Sequence, residues 1–466
     1  MLHSKAYVLL PAIGLLSAGL AGCGAGTVAS TPSGQTTTIT AWVPAPSPGK
    51  PIVESPLQFA TVLWNKEHPK RPVKLALNQA IPFASFLSKL TTAFVGHNPP
   101  DIAYGLPGGW PFPMARGRYL APINHLTPTW VKTVYFKSFY PSLRAQMPVI
   151  QGNIYALPTQ SGGVDGLWYR KDWFQSNRLP IPNTWANLLY DAKFFAQPQI
   201  AHHYRIVAPF LMAGSATQPM ETAAQGLGFF FAAGGHIIQD GRVTVDSPPI
   251  LTALTFLRTL SQQHLLPRIA LTTSATQSMA LMANGKVPIV IGGTWQYIAL
   301  QQDGPFTSLQ MFRNFQWTPF PRMSSHSSPE TSPGGADAAI VADNSHASLA
   351  AQLLELALSP AVAKEEAAAE QTMITKEGIK DAPAVEIPPV ASELSDMVGP
   401  PSELQFIRQT VAPVIPLSHK SVAFSYGAPV QIAIGKMIDD VVWGSVPAGQ
   451  AARQAAKTIE VSTGLR

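Results

Sequence analysis

The chain has 466 residues, of which 46% are hydrophobic, 9% aromatic and only 12% charged. That apolar content excludes a disordered chain, and the length exceeds one ordinary core, so two domains or lobes are expected. The formal net charge is +6, yet no run of basic residues reaches four and no nucleic-acid-binding motif occurs, which argues against nucleic acid as a partner.

The N-terminus opens with His3 and Lys5 and continues as the uncharged stretch "AYVLLPAIGLLSAGLAG". A weakly basic start followed by an apolar run has the form of a signal peptide over residues 1–22. Pro11 and Gly14 weaken a membrane-spanning helix there, and no basic stop-transfer cluster follows. The single cysteine, Cys23, comes next. Alone it can form neither an internal disulfide nor a thiolate metal site. "LAGC" resembles the bacterial lipobox, which implies that Cys23 is a lipid anchor rather than a catalyst. Residues 23–38 then read as the lipidated cysteine and a flexible, small-residue tether.

"TITAWV" at 38–43 reads as a first strand, "LQFATVLWNKEHP" at 57–69 as a helix stopped by Pro69, and "VKLAL" at 73–77 as a second strand. Phe86, Leu90 and Phe94 recur every fourth residue, so the next segment is a helix with one apolar face. Gly96 ends it and Pro99–Pro100 prevents its restart. "DIAY" is a short strand leading into "GLPGGWPFP". Strand, helix, strand in this order implies parallel pairing and an α/β lobe. Later units repeat the pattern. Asn183 or Thr184 caps a helix whose face holds Trp185, Leu188, Leu189, Ala192 and Phe195. Ser247 and Pro248 open another, with Ile250, Leu254 and Leu257 inward. "KVPIVIGG" is a buried strand, and Thr294 is placed to cap the helix "TWQYIALQQ".

Enzyme signatures are missing: the chain has no G-x-S-x-G, Walker A loop, H-E-x-x-H or G-x-G-x-x-G. His202 and His203 are adjacent, so their side chains diverge, as surface residues rather than ligands. No metal, cofactor or catalytic residue is expected. Aromatic residues instead gather at expected strand ends: Trp42, Trp110, Trp168, Tyr169 and Trp295. Ligands bind beyond the carboxyl ends of parallel strands, where an indole can stack on the apolar face of a sugar. The competing reading for each tryptophan is core packing.

Several blocks resemble one family in order along the chain. "KLTTAFVGHNPPDIAYGLPGGWPFPMARGRYLAPIN", "YALPTQSGGVDGLWYRKDWF" with "PNTWANLLYDAKFF", "FAAGGHIIQDGRVTVDSPPILTALTFLRTL", "MALMANGKVPIVIGGTWQYI", "SPGGADAAIV" and "GSVPAGQAARQAAKTIE" resemble extracellular solute-binding proteins of family 1, the carbohydrate-binding subunits of ABC importers. The resemblance implies a two-lobed periplasmic-binding-protein-like α/β fold of type II, with a ligand cleft between lobes joined by hinge crossovers. Lobe one would be 39–160 plus 322–370, and lobe two 161–321 plus 371–466, with crossings near 159–167 and 318–322. It implies that Trp295 stacks on the ligand and that Trp42, Trp110 and Glu221 lie in cleft loops. Asp165 lies in the crossover, where capping a turn with Gly163 and Gly166 is an equal alternative. Where the family carries an aromatic after "GG" in the re-entering strand, this chain has Ala336, with Asp337 beside it. The implied function is a monomeric, lipid-anchored extracytoplasmic receptor that delivers a sugar or oligosaccharide to an ABC permease. The same fold binding a glycerol phosphodiester or another polar solute is one alternative. A secreted glycoside hydrolase lipoprotein is the alternative from another class.

Overall fold

A computed structural model describes residues 36–45, 55–107, 109–145, 147–160, 164–214, 219–324, 332–333, 336–376, 389–390, 397, 401–418 and 426–465. Cys23 and the segment before it, Gly163, and the 371–389 boundary region from 377 to 388 lie outside the described residues.

The first strands are β1 (Thr37–Ala45), β2 (Val73–Pro82) and β3 (Ile102–Pro107). β1 pairs in parallel with both neighbours, as the strand–helix–strand order requires. The helix between β1 and β2 runs over Pro56–Glu67. Ser55 caps it, and the Gln58 side chain reaches back to accept from the Ser55 N–H at 2.9 Å. The helix Phe83–Val95 ends at Gly96, and its Phe86, Leu90 and Phe94 are buried. A minor hairpin, β4 (Val149–Ile150) with β5 (Asn153–Ile154), precedes β6 (Leu157–Gln160).

The chain then leaves this sheet. β7 (Val164–Arg170) is the spine of a second sheet. After a small hairpin of β8 (Ile238–Gln239) and β9 (Arg242–Val243), the strands β10 (Ile289–Gly293), β11 (Phe315–Thr318) and β12 (Ser332–Pro333) all pair with β7. β13 (Ala336–Ile340) returns to the first sheet, whose order is β2-β1-β3-β13-β6. Two mixed or antiparallel sheets thus exchange strands, each within its own hydrophobic core.

Three findings differ from the sequence-based expectation. First, the second sheet is antiparallel where a repeat of parallel units was expected, so the end of β10 meets the start of β7. Second, residues near 322 stay with the second sheet's side: the Trp185 N–H donates to the Arg322 carbonyl at 2.8 Å, and the Arg322 N–H to the Asn183 carbonyl at 3.0 Å. The return lies between Pro333 and Ala336, later than 318–322. Third, the later chain does not leave the first core at 370. Val390 is buried in that core and bridges to Phe139, and Met397 is the next described residue, packed against the second core together with Phe406, Ile407 and Val411. Among the described residues no helix is long and apolar enough to cross a membrane.

Candidate functional site

The end of β10 is built around its two glycines. The carbonyl of Gly292 accepts from Trp317 Nε1 at 3.1 Å, and that of Gly293 from Trp168 Nε1 at 2.8 Å. Trp168 and Trp317 are buried core residues, so Trp168 and its neighbour Tyr169 support the site from beneath and do not line it. The core reading, not the ligand reading, holds for that pair. The Gly293 N–H donates to Gln296 Oε1 at 2.9 Å, which pins the turn Thr294–Gln296. Thr294 does not cap the helix that follows. Its hydroxyl accepts the Val164 N–H at 3.1 Å and so ties the turn to the first residue after the crossing.

Trp295 is presented on this pinned turn. Its indole lies over Gly293, where a Cβ would collide with the ring, and it remains 40% exposed. The two glycines have separate jobs, since a Cβ on Gly292 would strike the Gln296 side chain. Antiparallel register sets Gly293 opposite Asp165, and Ser332 pairs with Asp165 on the other side. Asp165 and the turn that carries Trp295 therefore lie at the same end of the second sheet. Burial pushes the Asp165 carboxyl up to about 7.

On the first sheet the corresponding place is the end of β3, where parallel strands present their carboxyl ends. Asp337, the second residue of β13, pairs with Leu106 and Pro158. Register shifts flank it against both neighbours, as bulges that re-aim a side chain do. Asp337 is only 4% exposed, and burial pushes its carboxyl up to about 8. Trp110 stands three residues after the end of β3, in the turn that opens the helix Pro111–Arg116, half-buried against the first core.

The remaining expected residues are placed differently. Trp42 lies within β1, paired with Asn78 and Ala103 and partly buried against the first core, rather than in a loop after the strand. Glu221 sits in the first turn of the helix Pro219–Ala232. Its Oε2 accepts the Ala275 N–H at 2.9 Å, which ties two helices of the second lobe. Tyr135 was not singled out by the sequence. It is buried, and its phenol is pushed up chiefly by burial, with Arg144 acting downward and Asp337 upward, so it shares the surroundings of Asp337. It belongs to the π-helical turn Val131–Tyr135, whose spacing obscures its face. Among the described residues no group of His, Cys, Asp and Glu is arranged to hold a metal.

The sequence profile of bacterial extracellular solute-binding proteins matches residues 38–364. No curated protein matches the chain. Solved structures with a similar fold include the GacH receptor of Streptomyces glaucescens, studied unliganded and with acarbose. It is 18% identical, with a TM-score of 0.70 over 92% of this chain and 99% of that one. An ABC transporter solute-binding protein of Thermotoga lettingae bound with α-D-tagatose is 20% identical, with a TM-score of 0.68 over 91% of this chain and 99% of the other. The cyclic α-maltosyl-1,6-maltose binding protein of Arthrobacter globiformis is 17% identical, with a TM-score of 0.67 over 92% and 99%.

Proposed function

The chain belongs to the bacterial extracellular solute-binding proteins, and from that premise we propose that it is the carbohydrate receptor of an ABC importer. Membership makes it a binding protein rather than an enzyme. The reading adds that the two sheets are the bases of two lobes which close on a sugar or oligosaccharide and hand it to a permease. One observation carries it. Each crossing between the sheets is followed at once by an acidic side chain, Asp165 or Asp337, and a partly open tryptophan, Trp295 or Trp110, stands at the adjoining strand end. Carboxyls accept from sugar hydroxyls and indoles cover sugar C–H faces. The sugar ligands named for three structural relatives agree with this chemistry. A glycerol phosphodiester fits less well, because the acidic side chains at these strand ends offer its anionic phosphate no cation to pair with.

In this reading the crossings act as hinges, and the closed form is favoured only because the ligand touches both lobes. The protein is monomeric and held outside the cell membrane through lipid on Cys23, with 23–38 as tether. A thermal-shift screen against neutral mono- and oligosaccharides tests the proposal, since a ligand of the native state raises the midpoint. Calorimetry on any hit, with product analysis after incubation, separates a receptor from a hydrolase. A stable complex without cleavage supports the reading, and sugar breakdown refutes it.

A further inference from the structure

Trp295 is carried by the turn Thr294–Gln296, between the end of β10 and the helix Tyr297–Asp303. Gln296 and Thr294 pin the turn on its β10 side, and Tyr297 secures the other. The Tyr297 ring is buried, and its hydroxyl donates to a carboxylate oxygen of Glu403 in the helix Pro401–Phe406. Glu403 is itself only 2% exposed, and it stands 106 positions further along the chain.

The same helix also reaches the near side of the turn. Phe406 stacks on Trp168 with ring centroids 5.4 Å apart, and Trp168 Nε1 donates to the Gly293 carbonyl. Phe406 meets the Tyr297 ring edge-on at 5.9 Å and Phe312 at 5.0 Å. One short helix from late in the chain therefore braces both the residue before the turn and the residue after it.

Packing alone does not call for a carboxyl at this place. Tyr297, Phe312 and Phe406 form an aromatic cluster. A carboxyl enclosed beside them loses hydration that an apolar side chain of similar volume never needs. What the carboxyl adds is direction. Ring contacts let neighbours slide and rotate, whereas a buried hydrogen bond fixes the phenol at its far end. Tyr297 continues the helical backbone of the turn, two residues after Trp295, so a shift of Tyr297 carries the indole with it. We infer that Glu403 is a positioning residue for the ligand: through Tyr297 it holds the Trp295 turn in the orientation that presents the indole. The inference rests on the sugar-receptor reading, in which Trp295 stacks on the ligand, and adds to it a residue that acts only through another side chain.

The test uses the full-length protein labelled with 5-fluorotryptophan, with the Trp295 fluorine resonance assigned by Trp295→Phe. Glu403→Ala and Tyr297→Phe, each with its melting temperature recorded, should shift, split or broaden the Trp295 line in the free protein. Tyr297→Phe carries the test if Glu403→Ala does not fold. Glu403→Gln should keep the wild-type line, because its amide oxygen still accepts the phenol proton. Calorimetry with a sugar found by thermal shift gives the second readout. Glu403→Ala and Tyr297→Phe should each weaken binding about tenfold, the scale of one buried hydrogen bond. In a Trp295→Ala background neither should add a further loss. A Trp295 line and an affinity that both stay unchanged, with only the melting temperature lowered, overturn the inference, since Glu403 then ties core elements alone. Equal losses of affinity with and without the Trp295 side chain overturn it too. If no sugar binds the wild-type protein, the receptor reading fails, and the fluorine lines still decide whether Glu403 holds the indole.

Discussion

Trp295→Ala removes the side chain on which the proposed cleft depends most. The magnitude follows from its exposure. A tryptophan side chain offers about 250 Å², and 40% of this residue is open. About 100 Å² is then available to a ligand, which at roughly 25 cal/mol per Å² gives an upper value of about 2.5 kcal/mol. That corresponds to a rise in Kd of roughly 70-fold. The fold should tolerate the change. Trp295 stands on a turn pinned by Gln296, Thr294, Trp168 and Trp317, none of which bonds its indole. Calorimetry with a bound oligosaccharide and thermal melting of the free protein are read together. Weaker binding with an unchanged melting temperature supports the assignment. A collapsed melting temperature with normal binding by the remaining folded protein would show that Trp295 is packing, and the reasoning fails.

Gly293→Ala should act on the same indole from below. Gly293 has φ −73°, which alanine accepts, and the atoms nearest the new methyl are those of the Trp295 ring; binding should fall without loss of folding, and unchanged affinity would refute the placement. Asp191→Asn should stabilise the protein at neutral pH and progressively less toward acid. Asp191 is fully buried with both oxygens unpartnered, and burial pushes it up from 3.8 to about 8. Between those values the unfolded chain has released a proton that the folded one keeps, so native stability falls as pH rises, by up to about 1.4 kcal/mol per pH unit. Denaturant melts of both proteins across that range check the sign, and a gap independent of pH contradicts it. Cys23→Ala should move the protein from the membrane fraction to precursor or soluble material, and a correctly processed, membrane-bound mutant would rule out lipidation there.

Local features were the legible ones. Phe86, Leu90 and Phe94 announce their helix because a 3.6-residue period is written in adjacent sequence. Thr184 is found as a cap for the same reason, its hydroxyl accepting from the Asn187 N–H at 3.1 Å. The pairing of β7 with β10 was not legible, because more than a hundred residues separate Asp165 from Gly293 and no local pattern sets their direction. That one unread register is what sets Asp165 at the same sheet end as the turn carrying Trp295. Thr294 shows the opposite error. Its place before a helical stretch suggests a cap, yet a strand brought in from 130 residues away offers its hydroxyl a better donor. Asp191 lies among Leu188, Ala192 and Phe195 on the buried face of the helix Trp185–Ala196, a face whose apolar period does not include it. Desolvation of this kind depends on the whole surrounding fold and leaves no mark in the sequence.

The central claim is that two lobes close around a carbohydrate, and small-angle scattering tests it most directly. Closure about the crossings at 160–164 and 333–336 brings the lobes together. The radius of gyration should therefore fall when a sugar identified by thermal shift is raised to saturation, and it should return when the sugar is removed. A radius of gyration that stays the same at saturating ligand would contradict the account.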